Sequence, residues 1–361
     1  MHLSSTPSKI IHVVSSLNVG GAERFVIDLC QVQQKQGYQV SILSLGNQHD
    51  ELVEEAGHKG ITANVVSQVK GWRLLQSYRL LVKADIIHFH SPHAIKLFSP
   101  IIGALQKRIM VYTRHGAAPL HAPHWQRLHK KIRPFVNAIT FVSNEGKQNF
   151  QSIHAWSGLP MEVIDNGIDI DAINVTDNRR DSTLLRLGSV GRMVKLKGQH
   201  FLLEAIAGLT KERRQRVTVE FFGDGECRKE LQQFAQTNLP DTRITFHGMV
   251  DNRDDIYNAF DVMCVTSETE GLSLAVIEAM AYKKAVVATN VGGNPKLVEH
   301  DTTGWLFEYA DTETLKTLIN KLIDEPTLAQ KMGANGREKV AQAFSLNITA
   351  DKFNQLYLPG E

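Results

Sequence analysis

Leu185-Arg186-Leu187-Gly188-Ser189-Val190-Gly191-Arg192-Met193-Val194-Lys195-Leu196-Lys197-Gly198 is the stretch on which the reading of this chain turns. Its first six residues form a short, mostly apolar run of strand type. A loop bracketed by Gly191 and Gly198 follows, and Gln199–Leu209 then has the apolar spacing of a helix. Strand, glycine-bracketed loop and helix together open a βαβ unit. The same order stands near the start of the chain, in Ile10–Ser15, Asn18-Val19-Gly20-Gly21 and the helical pattern Ala22–Gln36, where Phe25, Leu29 and Val32 share a stripe. Two such openings about 175 residues apart, at roughly 100–200 residues per domain, predict two domains in a chain of 361 residues.

Working outward, short apolar runs alternate with helical patterns in both halves. The first half offers strands at Gln39–Ser44, Ala63–Val66, Ile86–His90, Ile109–Thr113, Ala138–Val142 and Met161–Ile164. The second offers Val217–Gly223, Ile244–His247, Val262–Val265, Ala285–Thr289 and Gly304–Phe307, with helices at Arg228–Gln236, Asp254–Ala259 and Leu274–Ala281 between them. Runs that are apolar throughout fit strands covered on both faces, so each half is expected to be an α/β, doubly wound parallel sheet. The Asn/Asp-rich segment Asn174–Asp181 is the linker candidate, and the chain turns purely helical beyond Glu325-Pro326. The fold class is therefore α/β, with two Rossmann-like domains facing a central cleft.

Composition removes several functions. With 42% hydrophobic and 22% charged residues the chain is an ordinary globular sequence, and 40 Lys+Arg against 38 Asp+Glu gives no field for wholesale nucleic-acid binding. The three cysteines, Cys30, Cys227 and Cys264, form no close pair, which argues against a disulfide framework or a structural zinc and for a reducing, cytoplasmic setting. Met1–Lys9 is short and polar and leads into a strand rather than a signal peptide. The least charged stretch, Leu97–Gln106, is too short to span a bilayer, which takes about 20 residues.

Ligands of open α/β sheets bind beyond the carboxyl ends of the strands, so the loops there carry the candidate chemistry. Gly20 and Gly21 let a backbone approach a ligand ahead of a helix N-terminus, although the G-x-G-x-x-G dinucleotide fingerprint is missing and a plain turn fits equally well. Arg192 and Lys197, set in the Gly191 to Gly198 loop, can converge on one diphosphate as a planar fork and a point charge. After strand Val262–Val265, the segment Ser267-Glu268-Thr269-Glu270-Gly271-Leu272-Ser273-Leu274 turns into a helix. There Glu270 can accept bonds from sugar hydroxyls, the helix start can face phosphate, and Glu278 can hold a ribose diol. His88, His90 and His93 cluster after strand Ile86–His90, and His115 stands in Thr113-Arg114-His115-Gly116. His88 and His90 share a face if the strand is regular, yet no carboxylate or cysteine joins them, so no metal site is expected. His90 and His115 read as cleft residues and His88 as structural.

Assembled in this order, the residues resemble glycosyltransferase family 4, retaining enzymes of the GT-B fold. The resemblance runs from Gly20-Gly21-Ala22-Glu23 through Asp85-Ile86-Ile87-His88-Phe89-His90, Val142-Ser143, Asn166-Gly167-Ile168-Asp169 and Phe222-Gly223-Asp224-Gly225 to the final helices. Its strongest marks are Gly191-Arg192…Lys197-Gly198, the pair Glu270…Glu278, and Val291-Gly292-Gly293. It implies an acceptor-side domain over residues 1–167, a nucleotide-sugar donor domain over 168–344, and a terminal helix, 345–361, crossing back to the first domain. Arg192 and Lys197 would grip the donor diphosphate. Glu270 and the backbone amides of Gly271, Leu272, Ser273 and Leu274 would contact the sugar and phosphate, and Glu278 the ribose. The base would rest against Met249 and Val250. Gly20 and Gly21 would approach the phosphates or acceptor, His115 would face the transferred sugar, and His90 and Arg114 would lie on the acceptor side.

The activity so implied is retaining, metal-independent transfer from a nucleotide-diphosphate sugar, UDP- or GDP-linked, to a glycan or lipid-linked acceptor of a bacterial envelope polysaccharide. No cofactor is expected beyond that co-substrate. A nucleotide-sugar epimerase of the same fold and a non-catalytic nucleotide-sugar-binding module are the alternatives, and a dehydrogenase is disfavoured by the missing fingerprint. Asp169-Ile170-Asp171 has the form of a metal-binding D-x-D but overlaps the Asn-Gly-Ile-Asp turn and is read as coincidence. The basic, Trp-bearing segment Ala122–Pro134 suits either an interfacial helix on an anionic bilayer or an ordinary helix with a core stripe. The basic run Lys211–Arg216 is expected to be a solvated loop.

Overall fold

The computed structural model describes residues 8–18, 20–116, 122–151, 156, 158–176 and 184–358. Val19 of the first glycine loop and residues 177–181 of the expected linker lie outside them. The chain divides into two compact units, Met1–Gly167 with Leu346–Glu361, and Ile168–Ser345.

In the first unit seven parallel strands, β1 (Lys9–Val14), β2 (Gln39–Ser44), β3 (Thr62–Val65), β4 (Ile86–Phe89), β5 (Ile109–Arg114), β6 (Ala138–Phe141) and β7 (Met161–Val163), lie in the order 3-2-1-4-5-6-7. Strands β4 and β6 are buried at every position, as sheets covered on both faces require. One face is filled by Val13, Phe89, Tyr112 and Phe141. The other receives helix Gly21–Lys35 and the terminal helix Leu346–Leu356, whose Phe353 lies 6.5 Å from Phe25 and 4.9 Å from His88, ring centre to ring centre. The chain order reverses between β1 and β4, so the ends of these two strands flank the switch point where such sheets bind ligands.

The second unit repeats the plan with six parallel strands, β8 (Leu185–Val190), β9 (Val217–Phe222), β10 (Arg243–Gly248), β11 (Val262–Val265), β12 (Ala285–Thr289) and β13 (Gly304–Phe307), in the order 10-9-8-11-12-13. Its switch point falls between β8 and β11, the strands that feed the Arg192–Lys197 and Ser267–Glu270 loops. The two Rossmann-like units are those of the GT-B architecture. Strand β10 runs one residue beyond its expected span at each end and slips register between Phe246 and Gly248, where Gly248 takes a φ of +75°. One expectation needs amending. The run Lys211–Arg216 opens in a helical turn, Lys211–Arg214, capped by the Thr210 hydroxyl. Its cations are used in place: Arg213 pairs with Asp324, Arg214 with Asp241, and Arg216 bonds the Ile323 carbonyl. In helix Pro123–Ile132 the apolar residues Leu128 and Ile132 are core residues of the first unit, while Arg127, Lys130 and Lys131 are exposed.

Candidate active site

The loop after β8 is fixed by close backbone approach. Gly223 holds a φ of +118°, and a Cβ there would stand 2.2 Å from the Gly191 carbonyl oxygen. One on Gly225 would stand 2.4 Å from that of Met193. The Phe222-Gly223-Asp224-Gly225 sequence is thus the bed on which Gly191–Met193 lies, and the Met193 amide and carbonyl bond Asp224 and Cys227. Met193 is fully buried and holds the loop from beneath, which leaves Arg192 exposed on its outer side. Lys195–Lys197 form a single 3-10 turn that ends at Gly198 in the left-handed region, with φ +61°. A side chain at Gly198 would strike the Thr266 carbonyl at 2.3 Å, so the loop abuts the one after β11. Thr266 Oγ1 donates to the Lys197 carbonyl, and the Glu268 amide donates to that of Leu196.

That seam brings Lys197 Nζ within 2.6 Å of Glu270 Oε1, the same oxygen that accepts from Ser267 Oγ at 2.6 Å. Glu270 is 8% exposed. Its backbone is pinned by Gly292 and Gly293: a Cβ on Gly292 would lie 1.7 Å from the Glu270 carbonyl oxygen, and the Gly293 amide donates to the carbonyls of Glu270 and Gly271. The Val291-Gly292-Gly293 motif is therefore a socket for Glu270. Helix Leu274–Ala281 begins directly after it. The Ser273 side chain does not cap it, and the first amides of a helix have no intrahelical acceptor and point out of its start. Cation, carboxylate and helix N-terminus converge at the switch point of one sheet, an arrangement suited to a sugar joined to a diphosphate.

Glu278, one turn further along the same helix, accepts from Tyr257 OH at 2.5 Å and lies 2.8 Å from Arg253 Nε. Burial and the Glu278 carboxylate hold the Tyr257 hydroxyl well above its ordinary pKa, so it stays a donor. Neither partner was singled out from the sequence. Their place in Arg253–Tyr257, a short helix of charged and aromatic residues, gave no sign that they orient Glu278. Met249 is 59% exposed after the Gly248 turn, with Val250 beside it half-buried.

In the first unit Gly20 is extended, with φ −166°, ahead of helix Gly21–Lys35. The Glu23 carboxyl folds back over it, so that a Cβ on Gly20 would stand 2.3 Å from Glu23 Oε2, and burial raises the Glu23 pKa. Arg114 ends β5 buried, 5% exposed, with its guanidinium 4.7 Å over the Phe150 ring, so the structure places it in packing rather than in the open. His93 is exposed and set edge-on to Trp125.

His88 and His90 do share a face, with ring centres 4.1 Å apart, and His12 of β1 joins them. The ligand nitrogens of His12, His88 and His90 lie within 4.8 Å of one another, but each ring is already engaged. His88 bonds Tyr357 OH at 2.7 Å and Thr113 Oγ1 at 2.6 Å. His12 bonds Gln33 and His90, and His90 bonds His115, at 2.8, 2.8 and 3.0 Å. Burial lowers all four pKa values, to about 4 for His12 and His115 and well below the ordinary value for His88 and His90. The arrangement is a neutral hydrogen-bonded array rather than a set of free metal ligands. His90 is buried within it, while His115 is only half-buried at its end.

This fold is that of a glycosyltransferase, and comparison with known proteins agrees. A family profile described as "Glycosyltransferase Family 4" matches residues 19–172, and one described as "Glycosyl transferases group 1" matches residues 173–339. The chain belongs to the group 1, family 4 glycosyltransferases of the GT-B fold. It is 26% identical over 318 residues, 81% of each chain, to an Escherichia coli UDP-Gal:alpha-D-GlcNAc-diphosphoundecaprenol alpha-1,3-galactosyltransferase. It is 24% identical to the Staphylococcus aureus capsular polysaccharide biosynthesis glycosyltransferase CapH, over 97% of this chain and 98% of that one. Among solved structures, Anabaena HepE in complex with UDP and glucose superposes with a TM-score of 0.81 at 22% identity, covering 96% of this chain and 98% of that one.

Proposed function

We propose that this glycosyltransferase moves a sugar from a nucleotide-diphosphate sugar to a glycan or lipid-linked acceptor in bacterial envelope polysaccharide synthesis, with retention of configuration and without a metal. The observation that carries the reading is the Lys197–Glu270 pair, seamed between the two loops at the switch point of the second sheet. In this reading Lys197 and Arg192 bind the diphosphate and, with the start of helix Leu274–Ala281, stabilise the charge that builds on the departing phosphate. Two cations and a helix dipole can do this work without a divalent ion. Glu270 receives the donor's sugar hydroxyls, Glu278 the ribose, and the exposed Met249–Val250 turn the base. Commitment of Glu270 to Lys197 and Ser267 argues against its acting as a covalent nucleophile and for same-face attack by the acceptor. UDP is the favoured nucleotide, because the galactosyltransferase relative is named for UDP-Gal and the Anabaena structure holds UDP.

The test is a thermal-shift panel with UDP, GDP, ADP and NAD, without metal. A ligand at about 100 times its Kd should stabilise the protein by roughly 2.7 kcal/mol. A shift with UDP or GDP supports the donor site, whereas a response to NAD alone overturns it. Turnover of donor with no acceptor present would point to the epimerase alternative.

A cytoplasmic enzyme in peripheral contact with an anionic membrane completes the proposal. The exposed basic face of helix Pro123–Ile132 supports it, as do Val69, Trp72 and Leu75, which are 68%, 50% and 39% exposed at and within helix Lys70–Leu81. That helix carries Arg73 and Arg79 and no acidic residue. No helix among the described residues is long and apolar enough to cross a membrane. Flotation with phosphatidylglycerol-containing vesicles should carry the protein upward, and Trp72→Ser should reduce the floated fraction. A protein left wholly with the soluble fraction would remove membrane contact from the proposal.

A further inference from the structure

Six consecutive hydrogen bonds run through the first unit from an exposed carboxylate to His115. An ionised carboxylate accepts and cannot donate, so Gln36 must turn its amide nitrogen to Asp351, at 2.8 Å. Gln36 Oε1 is then left to accept from Asn354 Nδ2 at 2.7 Å, and Asn354 Oδ1 to accept from Gln33 Nε2 at 3.2 Å. Gln33 Oε1 consequently faces His12 Nε2, which must carry the proton, at 2.8 Å. His12 Nδ1 is thus a lone pair and accepts from His90 Nε2–H at 2.8 Å, and His90 Nδ1 accepts from His115 Nε2–H at 3.0 Å. Each bond fixes the direction of the next, and the last leaves His115 Nδ1 as a bare acceptor. That atom is buried and has no hydrogen-bond partner among the described residues.

A branch gives the same polarity. Gln33 Nε2 also reaches Tyr357 OH at 3.5 Å, the phenol lies 2.7 Å from His88 Nδ1, and His88 Nε2 lies 2.6 Å from Thr113 Oγ1. A phenol that accepts from Gln33 and donates to His88 places the His88 proton on Nε2 as well. Gln33, fully buried in the middle, is the branch point that sets both lines.

We propose that Gln33 and the histidine line His12–His90 are positioning residues that lock His115 in its Nε2–H tautomer, so that Nδ1 accepts a hydrogen bond from a sugar hydroxyl. This rests on the proposed function, in which the ligands of the enzyme are sugars. The device selects a hydroxyl donor at that point and disfavours a group that can only accept, such as a carboxylate. Burial keeps every imidazole of the line neutral, so no protonation step scrambles its direction near neutral pH.

Long-range proton–nitrogen NMR of the ligand-free, histidine-labelled protein tests the lock without reference to activity, with single His→Gln variants giving the assignments. The expected spectrum has the proton on Nε2 in His12, His88, His90 and His115; a proton on His115 Nδ1 overturns the proposal. Gln33→Met should then give His115 a mixture of tautomers and weaken UDP-glucose by about three- to tenfold, the worth of one neutral hydrogen bond, while the Kd for UDP stays unchanged. Gln33→Glu, still an acceptor for His12, should restore both the single tautomer and the affinity. A Gln33→Met protein that keeps one tautomer, or loses UDP and UDP-glucose equally, refutes the positioning role. Failure of the wild type to bind UDP at all would instead strike the donor-site reading, and the spectra would still decide the lock.

Discussion

Lys197→Met keeps the side chain's stem and removes its charge, and two separate costs follow from the geometry. In the ligand-free protein Lys197 Nζ lies 2.6 Å from Glu270 Oε1, with the two side chains 25% and 8% exposed. Removing the cation leaves a nearly buried carboxylate with the Ser267 hydroxyl still donating to it. Breaking a fully buried pair costs about 3–5 kcal/mol, and the partial exposure of Lys197 brings this down to about 1–2 kcal/mol. That cost belongs to folding and should lower the melting temperature of the free protein. It should largely vanish in Lys197→Met/Glu270→Gln, where no carboxylate is stranded. The second cost belongs to binding: one charge-assisted hydrogen bond to the diphosphate, about 1.5–3 kcal/mol, or roughly ten- to 150-fold in Kd. The double variant should keep this loss. Glu270→Gln alone frees Lys197 from its partner, so UDP should bind at least as tightly as to the wild type while UDP-glucose binds more weakly. Titration calorimetry with both ligands, beside melting curves of the four proteins, separates these terms. A Lys197→Met protein that binds UDP within about twofold of wild type would refute the reasoning, because the cation would then not be reaching the phosphates.

The glycine socket and the buried histidines lead to two further outcomes. Gly292→Ala should abolish donor binding with little change in circular dichroism, because its φ is +53° and the new Cβ would stand 1.7 Å from the Glu270 carbonyl oxygen, forcing the socket open; donor affinity equal to wild type would contradict it. His12, fully buried with its pKa pushed down to about 4, should make the first unit acid-labile. The folded state resists protonation that the unfolded chain accepts near its free value of 6.5, so this contribution is whole above about pH 6.5 and is lost as pH falls towards about 4. At about pH 5 it amounts to roughly 2 kcal/mol, so urea unfolding of His12→Gln should gain about that much on wild type between about pH 7.5 and pH 5. Parallel pH dependences for the two proteins would show that His12 titrates normally.

Much of the fold was legible in the chain because parallel strands buried on both faces must be apolar runs, and helices between them must carry one apolar stripe. Leu185–Val190, Val262–Val265, Ala285–Thr289 and Gly304–Phe307 coincide with observed strands for that reason, and helix Leu274–Ala281 with its expected span. The glycine motifs were legible too, since left-handed φ and close backbone approach admit little else. Gly198, Gly223 and Gly292 are each pressed against a carbonyl of another loop. What the sequence could not supply was partnership at long range. The pairing of Lys197 with Glu270 spans 73 residues, that of Gln33 with Asn354 spans 321, and nothing local in either segment names the other. Arg114, which the resemblance puts on the acceptor side, is a packed cation over Phe150, and the basic run at Lys211 is spent on ion pairs, because charge alone does not say which face turns inward. Periodicity and glycine chemistry are properties of neighbours along the chain, so the sequence by itself determined the strands, the loops and the family. Hydrogen-bond partnership and burial depend on residues brought together from both ends of the chain, and those only the tertiary structure could decide.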